Sequence, residues 1–237
     1  MIPMIRSFSM FIRQIIKDSM LIAVIIAPLL AALFFRFGIP AVESLLCEFF
    51  LETSILADYY LLFDLVLSMI TPYMFCFASS MVMLTEFDEN MTGYLAVTPV
   101  GKRGYVLSRL LFPGFLSFLA SLLLLKFFSL TQWTWDMMIT VCFLSGMLSI
   151  AISLLLFSLS HNRVEGMAMA KLSGLLMLGL PVPFFLLSKV QYLFTPLPSF
   201  WIAKIMTEQN LLFLMPAILT SLIWIRLLYG KFDRKIR

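Results

Sequence analysis

The chain has a single histidine, His161, and three cysteines, Cys47, Cys76 and Cys142, with no paired spacing. One imidazole removes the usual means of building a histidine-based metal site or a hydrolytic triad. His161 lies in the polar run Ser160-His161-Asn162-Arg163-Val164-Glu165, where a solvated ring is the simpler expectation. The cysteines neither frame a disulfide scaffold nor form a CxxC pair. Cys76 and Cys142 fall in apolar runs, where a free thiol behaves as a small core residue. Cys47, in a polar connection, is open to a free thiol or an intermolecular disulfide. Charge is scarce too, at 13% of residues, against about 25% in an average soluble domain. With 62% hydrophobic residues and a mean hydropathy of +1.01, a soluble fold of 237 residues would lack a surface to offer water. The composition predicts an integral membrane protein.

Two further absences narrow the function. Gly93 and Gly101-Lys102 are eight residues apart where a phosphate-binding loop needs five, and Arg103 stands where Ser or Thr must meet magnesium. The chain therefore has no nucleotide site of that kind. Ionisable residues are also missing from mid-span positions, where a proton relay would need them. Asp64 and Lys126 come nearest, but both fall near the outer ends of their runs and are expected to reach water. An embedded enzyme finds no converging polar groups here. The net charge of +4 is spread over the ends of apolar runs and forms no continuous patch, which argues against nucleic acid.

What is present is a set of six apolar runs: 19–37, 59–84, 105–128, 137–158, 172–187 and 211–228. A hydrocarbon core of about 30 Å takes roughly 20 helical residues, and continuous apolarity fits helices, since barrel strands alternate. The expected fold is an all-α membrane protein of six spans in one domain, 1–237. The fifth run is short and holds Pro181 and Pro183, so it should bend or unwind near its end. Only Arg36, Lys126, Lys189 and Lys204 fall on one side of these spans, and the other 13 of the 17 basic residues fall on the opposite side. The positive-inside rule places both termini and residues 85–104 in the cytoplasm and residues 38–58 outside. No cleaved leader is expected, and the plasma membrane of a bacterium is the expected location. Ahead of the first run, Ile5, Phe8, Phe11, Ile12, Ile15 and Ile16 recur at helical spacing opposite Arg6, Arg13 and Lys17. That pattern suits an amphipathic helix on the membrane surface, or simply an apolar tail leading into the first span.

Between the second and third runs lies a polar island. It opens acidic, with Glu86, Asp88 and Glu89, passes Gly93, an apolar knob of Tyr94, Leu95 and Val97, and Thr98-Pro99, and closes with Lys102, Arg103 and Arg109. Two readings fit. It is a plug for a groove on another protein, or an ordinary interfacial loop with snorkelling basic side chains.

Over 86–109 the island resembles the cytoplasmic segment of type-2 ABC transporter permeases. The shared pattern is an acidic pair (Glu86, Glu89), Gly93-Tyr94-Leu95, Thr98-Pro99, Lys102-Arg103 and an aromatic start to the third span at Tyr105. Asn90-Met91-Thr92 departs from the acidic or basic residues usual before the glycine. The family's amphipathic N-terminal helix, six spans and short extracellular piece between spans five and six also have counterparts here, the last at 192–206 with Pro196, Pro198 and Trp201. A shorter similarity, through 162–166 and the Pro196 to Trp201 stretch, is to drug-export permeases of the fluoroquinolone type.

The resemblance implies the permease subunit of an ATP-driven exporter. Glu86, Asp88, Glu89, Gly93, Tyr94, Leu95, Pro99 and Arg103 would form the element that docks a separate ATPase subunit. That ATPase, in two copies, would bind ATP and Mg; the chain itself would bind no cofactor or metal. A second permease chain would complete the path, lined by Met69, Tyr73, Met74, Phe75, Phe77 and Met81 of the second span and Met177, Phe184 and Phe185 of the fifth. Such a wall suits an apolar or amphipathic substrate, whether drug, peptide or lipid-like. The alternative is a non-transporting membrane scaffold or sensor whose 85–104 segment docks a cytoplasmic partner.

Overall fold

The computed structural model describes residues 2–89 and 101–235. Those residues form helices and connections without a strand, and six of the helical stretches are long and apolar enough to cross a membrane. Helix α1 (Ile2–Lys17) is amphipathic and precedes the first span. Asp18 then breaks the chain and caps the next helix, its carboxylate accepting from the amides of Met20 and Leu21 at 3.0 and 3.3 Å.

The first span is α2 (Ser19–Leu33), a π turn (Phe34–Gly38) and α3 (Ile39–Phe50) in one continuous rod. At 32 residues it is about 48 Å long, well beyond the hydrocarbon thickness. The outward stretch expected as a loop from residue 38 is therefore helical as far as Phe50. Leu51, with φ 56°, ends it in the left-handed region. Glu43 of α3 accepts from the amides of Ile55, Leu56 and Ala57, which folds the turn into the second span, α4 (Tyr60–Asp88).

The third span comprises α5 (Gly101–Val106), a π turn (Leu107–Leu111) and α6 (Phe112–Phe128). The fourth is α7 (Trp135–Leu159). The fifth begins at Arg163, earlier than its apolar run suggested, as α8 (Arg163–Ser173). It tightens to a 3-10 turn (Gly174–Met177) and resumes only as α9 (Val182–Phe185), so the expected unwinding is present. Asn162 and Glu165 start α8 by mutual capping. Asn162 Oδ1 accepts from the Glu165 amide at 2.8 Å, and Glu165 accepts from the His161 amide at 2.7 Å.

Between spans five and six, α10 (Pro198–Glu208) packs back against the bundle, with Phe200, Ile202, Ala203 and Ile205 wholly buried. This answers to the piece, re-entrant or helical, that the resemblance implies at 192–206, and it is helical over most of that stretch. It approaches the unwound part of span five so closely that a Cβ on Gly179 would lie 2.4 Å from Ser199 Oγ and 2.5 Å from the Phe200 nitrogen. Only glycine fits there. The sixth span, α11 (Leu214–Lys235), follows.

Spans two and four form the centre of the bundle and spans one and six its edge. The central contacts are made by small polar residues. Ser80 and Ser153 hydroxyls meet at 2.8 Å, and Ser121 donates to the Ser68 carbonyl at 3.1 Å. Small side chains let backbones approach, which matters where lipid competes equally for apolar surface.

Candidate functional site

The two stems of the polar island are tied together inside the protein. Glu86 occupies the last turn of α4 and Arg109 the π turn of span three, and both are buried, at 1% and 0% exposure. Arg109 Nη2 donates to Glu86 Oε1 at 2.6 Å, and Nε faces both carboxylate oxygens at 3.2 Å. The Phe11 ring of α1 lies 5.1 Å from the guanidinium carbon and the Tyr105 ring 5.9 Å. Ser79 of α4 donates to the Arg109 carbonyl. The Phe8 and Phe112 rings, 4.0 Å apart, dock α1 onto the same stem. A charge pair this buried holds together through short, multiple hydrogen bonds and the adjacent ring faces.

Glu86 was expected beside Asp88 and Glu89 on a docking surface; its side chain turns inward instead, while Asp88 and Glu89 are exposed. The physical reason is partnership, since a buried carboxylate needs donors to replace water and Arg109 supplies them here. Gly93, Tyr94, Leu95 and Pro99 lie outside the described residues. Arg103 stands on α5, two residues after Gly101, whose φ of 60° favours glycine at the return of the island into the bundle.

A second tie crosses the same end. The Arg163 side chain donates to Asp18, and its amide donates to Asp88 at 3.1 Å. Burial by itself would raise the Asp18 pKa, but the Arg163 hydrogen bond and charge together with the Leu21 and Met20 amides outweigh it and hold it below the ordinary value. The hinge before span one, the end of span two and the start of span five are thus joined.

The proposed wall residues divide into four groups. Met69 and Met81 are fully enclosed by the chain's own core, so neither faces a path in this conformation. Phe77 is nearly buried, while Tyr73, Met74, Phe75, Met177 and Phe184 are half-buried. Phe185 is exposed and stacks on Tyr59 at 5.2 Å. Tyr73 links the two spans directly. Its hydroxyl donates to the Ala170 carbonyl at 3.0 Å and lies 3.2 Å from Ser173 Oγ. That carbonyl is released where span five tightens, because the Gly174 amide turns to Leu172.

At the opposite end Asp64 is fully buried, not solvated as expected. It accepts from the amides of Leu130 and Thr131, the Thr131 hydroxyl and Trp133 Nε1, at 2.6–3.0 Å. It shapes the connection between spans three and four, which Arg36 also holds through the Ser129 carbonyl at 2.8 Å. Lys126 lies 4.5 Å from the Trp135 ring.

Sequence reasoning recognised Arg109 as basic but missed its role, and missed Phe11, Asp18 and Arg163 as partners. The available signal was an arginine set inside an apolar run, which requires a partner.

The family described as Fluoroquinolones export permease protein Rv2686c-like matches residues 11–229, nearly the whole chain. The chain belongs to this family. Both stems of the island, the Asp18 and Arg163 tie and the wall of spans two and five lie within the matched region. Two curated relatives from Mycobacterium tuberculosis, the fluoroquinolones export permease proteins MT2760 (strain CDC 1551 / Oshkosh) and Rv2686c (strain ATCC 25618 / H37Rv), are each 32% identical over 68 residues. Those residues are 28% of this chain and 27% of each relative, so the chain spans about a quarter of the curated relatives it matches. No solved structure matches.

Proposed function

We propose that the protein is the permease subunit of an ATP-driven exporter, driven by a separate ATPase. The basic end faces the cytoplasm, where the 85–104 segment docks that ATPase, with two permease chains and two ATPase subunits per transporter. The single observation that carries this reading is the buried Glu86/Arg109 pair. An ordinary interfacial loop needs no clamp across its base. A segment that transmits a push does, because movement of its tip is otherwise dissipated in its stems.

The clamp gives the push a route. Displacement of 85–104 moves the ends of spans two and three together, with α1 carried along through Phe11. Span two reaches span five through Tyr73 in the last turn of α8, just before span five tightens. Such a break is where a span repacks at low cost. The path runs along Tyr73, Met74, Phe75, Phe77, Met177, Phe184 and Phe185, with Met69 and Met81 joining only if the spans part. Its adaptable Met and Phe surfaces suit an apolar or amphipathic compound. A fluoroquinolone is the first substrate to test, since the family carries that name.

The test is capture and efflux. Tyr94→Ala/Leu95→Ala removes the apolar knob and is expected to weaken ATPase association by about 1–3 kcal/mol per residue. Wild-type ATPase capture from solubilised membranes and wild-type efflux at matched membrane levels would sink the coupling assignment. They would leave 85–104 an ordinary interfacial loop with snorkelling basic side chains.

A further inference from the structure

The last turns of α11 close a cleft of about 340 Å³ that the proposed coupling and path do not use. Phe87, Ser160 and His161 line one side, and Lys231, Arg234 and Lys235 the other. Among the described residues no carboxylate lines it. Lys235 forms the floor, donating to the carbonyls of Phe157 and Ser160 and lying 4.4 Å from the Phe87 and Phe157 rings. Lys231 and Arg234 are exposed at the rim. The nearest acids, Asp88 and Glu165, accept the Arg163 and His161 amides and reach Lys235 only from outside the lining.

One polar atom is left over. Ser160 is 1% exposed, and its hydroxyl oxygen is buried without a hydrogen-bond partner among the described residues. Buried hydroxyls are normally satisfied, so a lone one beside a cleft marks the place of a missing acceptor or donor. Three cations and a spare hydroxyl converging, with the acids Asp88 and Glu165 set back from the lining, describe an oxyanion site. Its setting identifies the oxyanion. The cleft lies at the end of a span whose outer face, including Leu222, Ile223 and Leu227, is exposed and apolar. Acyl chains would cover that face and bring a headgroup phosphate to the cleft.

The geometry points to a binding site for the phosphate of an anionic phospholipid, drawn from the leaflet at the basic end. A zwitterionic choline headgroup fits poorly, because its own cation meets Lys231 and Arg234. Occupancy ties the end of span six to the ends of spans two and four, beside the stem that holds Glu86. The assignment does not depend on ATP coupling.

The experiment uses the full chain in mild detergent with phosphatidylglycerol, phosphatidylcholine or inorganic phosphate added, read by native mass spectrometry and thermal melting. Phosphatidylglycerol is expected to be retained and to raise the melting temperature, with phosphatidylcholine far weaker. Each basic residue near a headgroup contributes roughly five-fold. Lys231→Gln should therefore weaken phosphatidylglycerol retention about five-fold, and Lys231→Gln/Arg234→Gln roughly twenty-five-fold. Both positions are exposed, so lipid-free melting should stay unchanged, and Lys231→Gln alone carries the test if the double variant fails to fold. Equal retention of the two lipids, or undiminished retention by Lys231→Gln, overturns the site. A shift from inorganic phosphate with none from phosphatidylglycerol overturns the lipid as its source.

Discussion

Replacing Glu86 by glutamine keeps the side chain's size and removes its charge. Arg109, at 0% exposure, would then remain buried without the Glu86 carboxylate, having lost the charge assistance of its contacts at 2.6 and 3.2 Å. Removing one partner of a buried pair typically costs about 3–5 kcal/mol, against under about 1 kcal/mol for an exposed pair. The Phe11 and Tyr105 rings recover part of the loss through their faces, so a cost of about 3 kcal/mol is expected. Replacing both partners, as Glu86→Met/Arg109→Met, removes the uncompensated charge and should restore stability to near wild type. Denaturant unfolding in mild detergent measures Glu86→Gln, the single variants Glu86→Met and Arg109→Met, and the double variant. A cost below about 1 kcal/mol for Glu86→Gln, or a double variant as unstable as the two singles combined, would refute a buried pair. Transport separates positioning from stability. The apolar double variant should keep its fold and capture the ATPase but lose much of its efflux, because nonspecific packing does not fix the angle between the stems. Full efflux would reduce the pair to a structural role.

Two other expectations concern the ties around this clamp. The Asp18 pKa lies below 3.8 in the folded chain, so its contribution is present above that value and is lost only as pH falls through the folded pKa. The protection of α1 amides, relative to the unfolded chain at the same pH, should therefore be constant from about pH 5 to 8 and fall in stronger acid, a fall absent in Asp18→Asn. Gly179→Ala would set a methyl against the Phe200 backbone, which cannot step aside as a flexible side chain would. A cost of about 1–3 kcal/mol in the same unfolding assay is expected, with α10 loosened first.

Much of the architecture was legible because hydropathy and helix length are one-dimensional. The six spans, the amphipathic α1 and a break in span five all follow from local pattern, although the break begins at Gly174, ahead of the prolines that signalled it. The partners of charged residues do not. Glu86 and Arg109 are 23 positions apart and belong to different spans, so nothing in the sequence around Glu86 distinguishes it from the exposed Asp88 and Glu89. The position of Asp64 near the end of its run suggests water for the same reason. Four donors from the next connection but one enclose it, and only the fold brings them there.

The sequence by itself determined that this chain spans a membrane six times, and that its basic residues collect at one end. Which spans stand in the middle was decided only by the tertiary structure. Spans one and four have similar mean hydropathies, 2.5 and 2.3, yet 17% of the first is buried and 67% of the fourth. Apolar side chains gain little by choosing protein over lipid, so hydropathy cannot rank spans by burial. Close approach and hydrogen bonding between helices can. Span four supplies them through Ser145, Gly146, Ser149, Ala151 and Ser153, set against the serines of span two, while span one presents Ile22, Ile26, Leu29 and Leu30 outward.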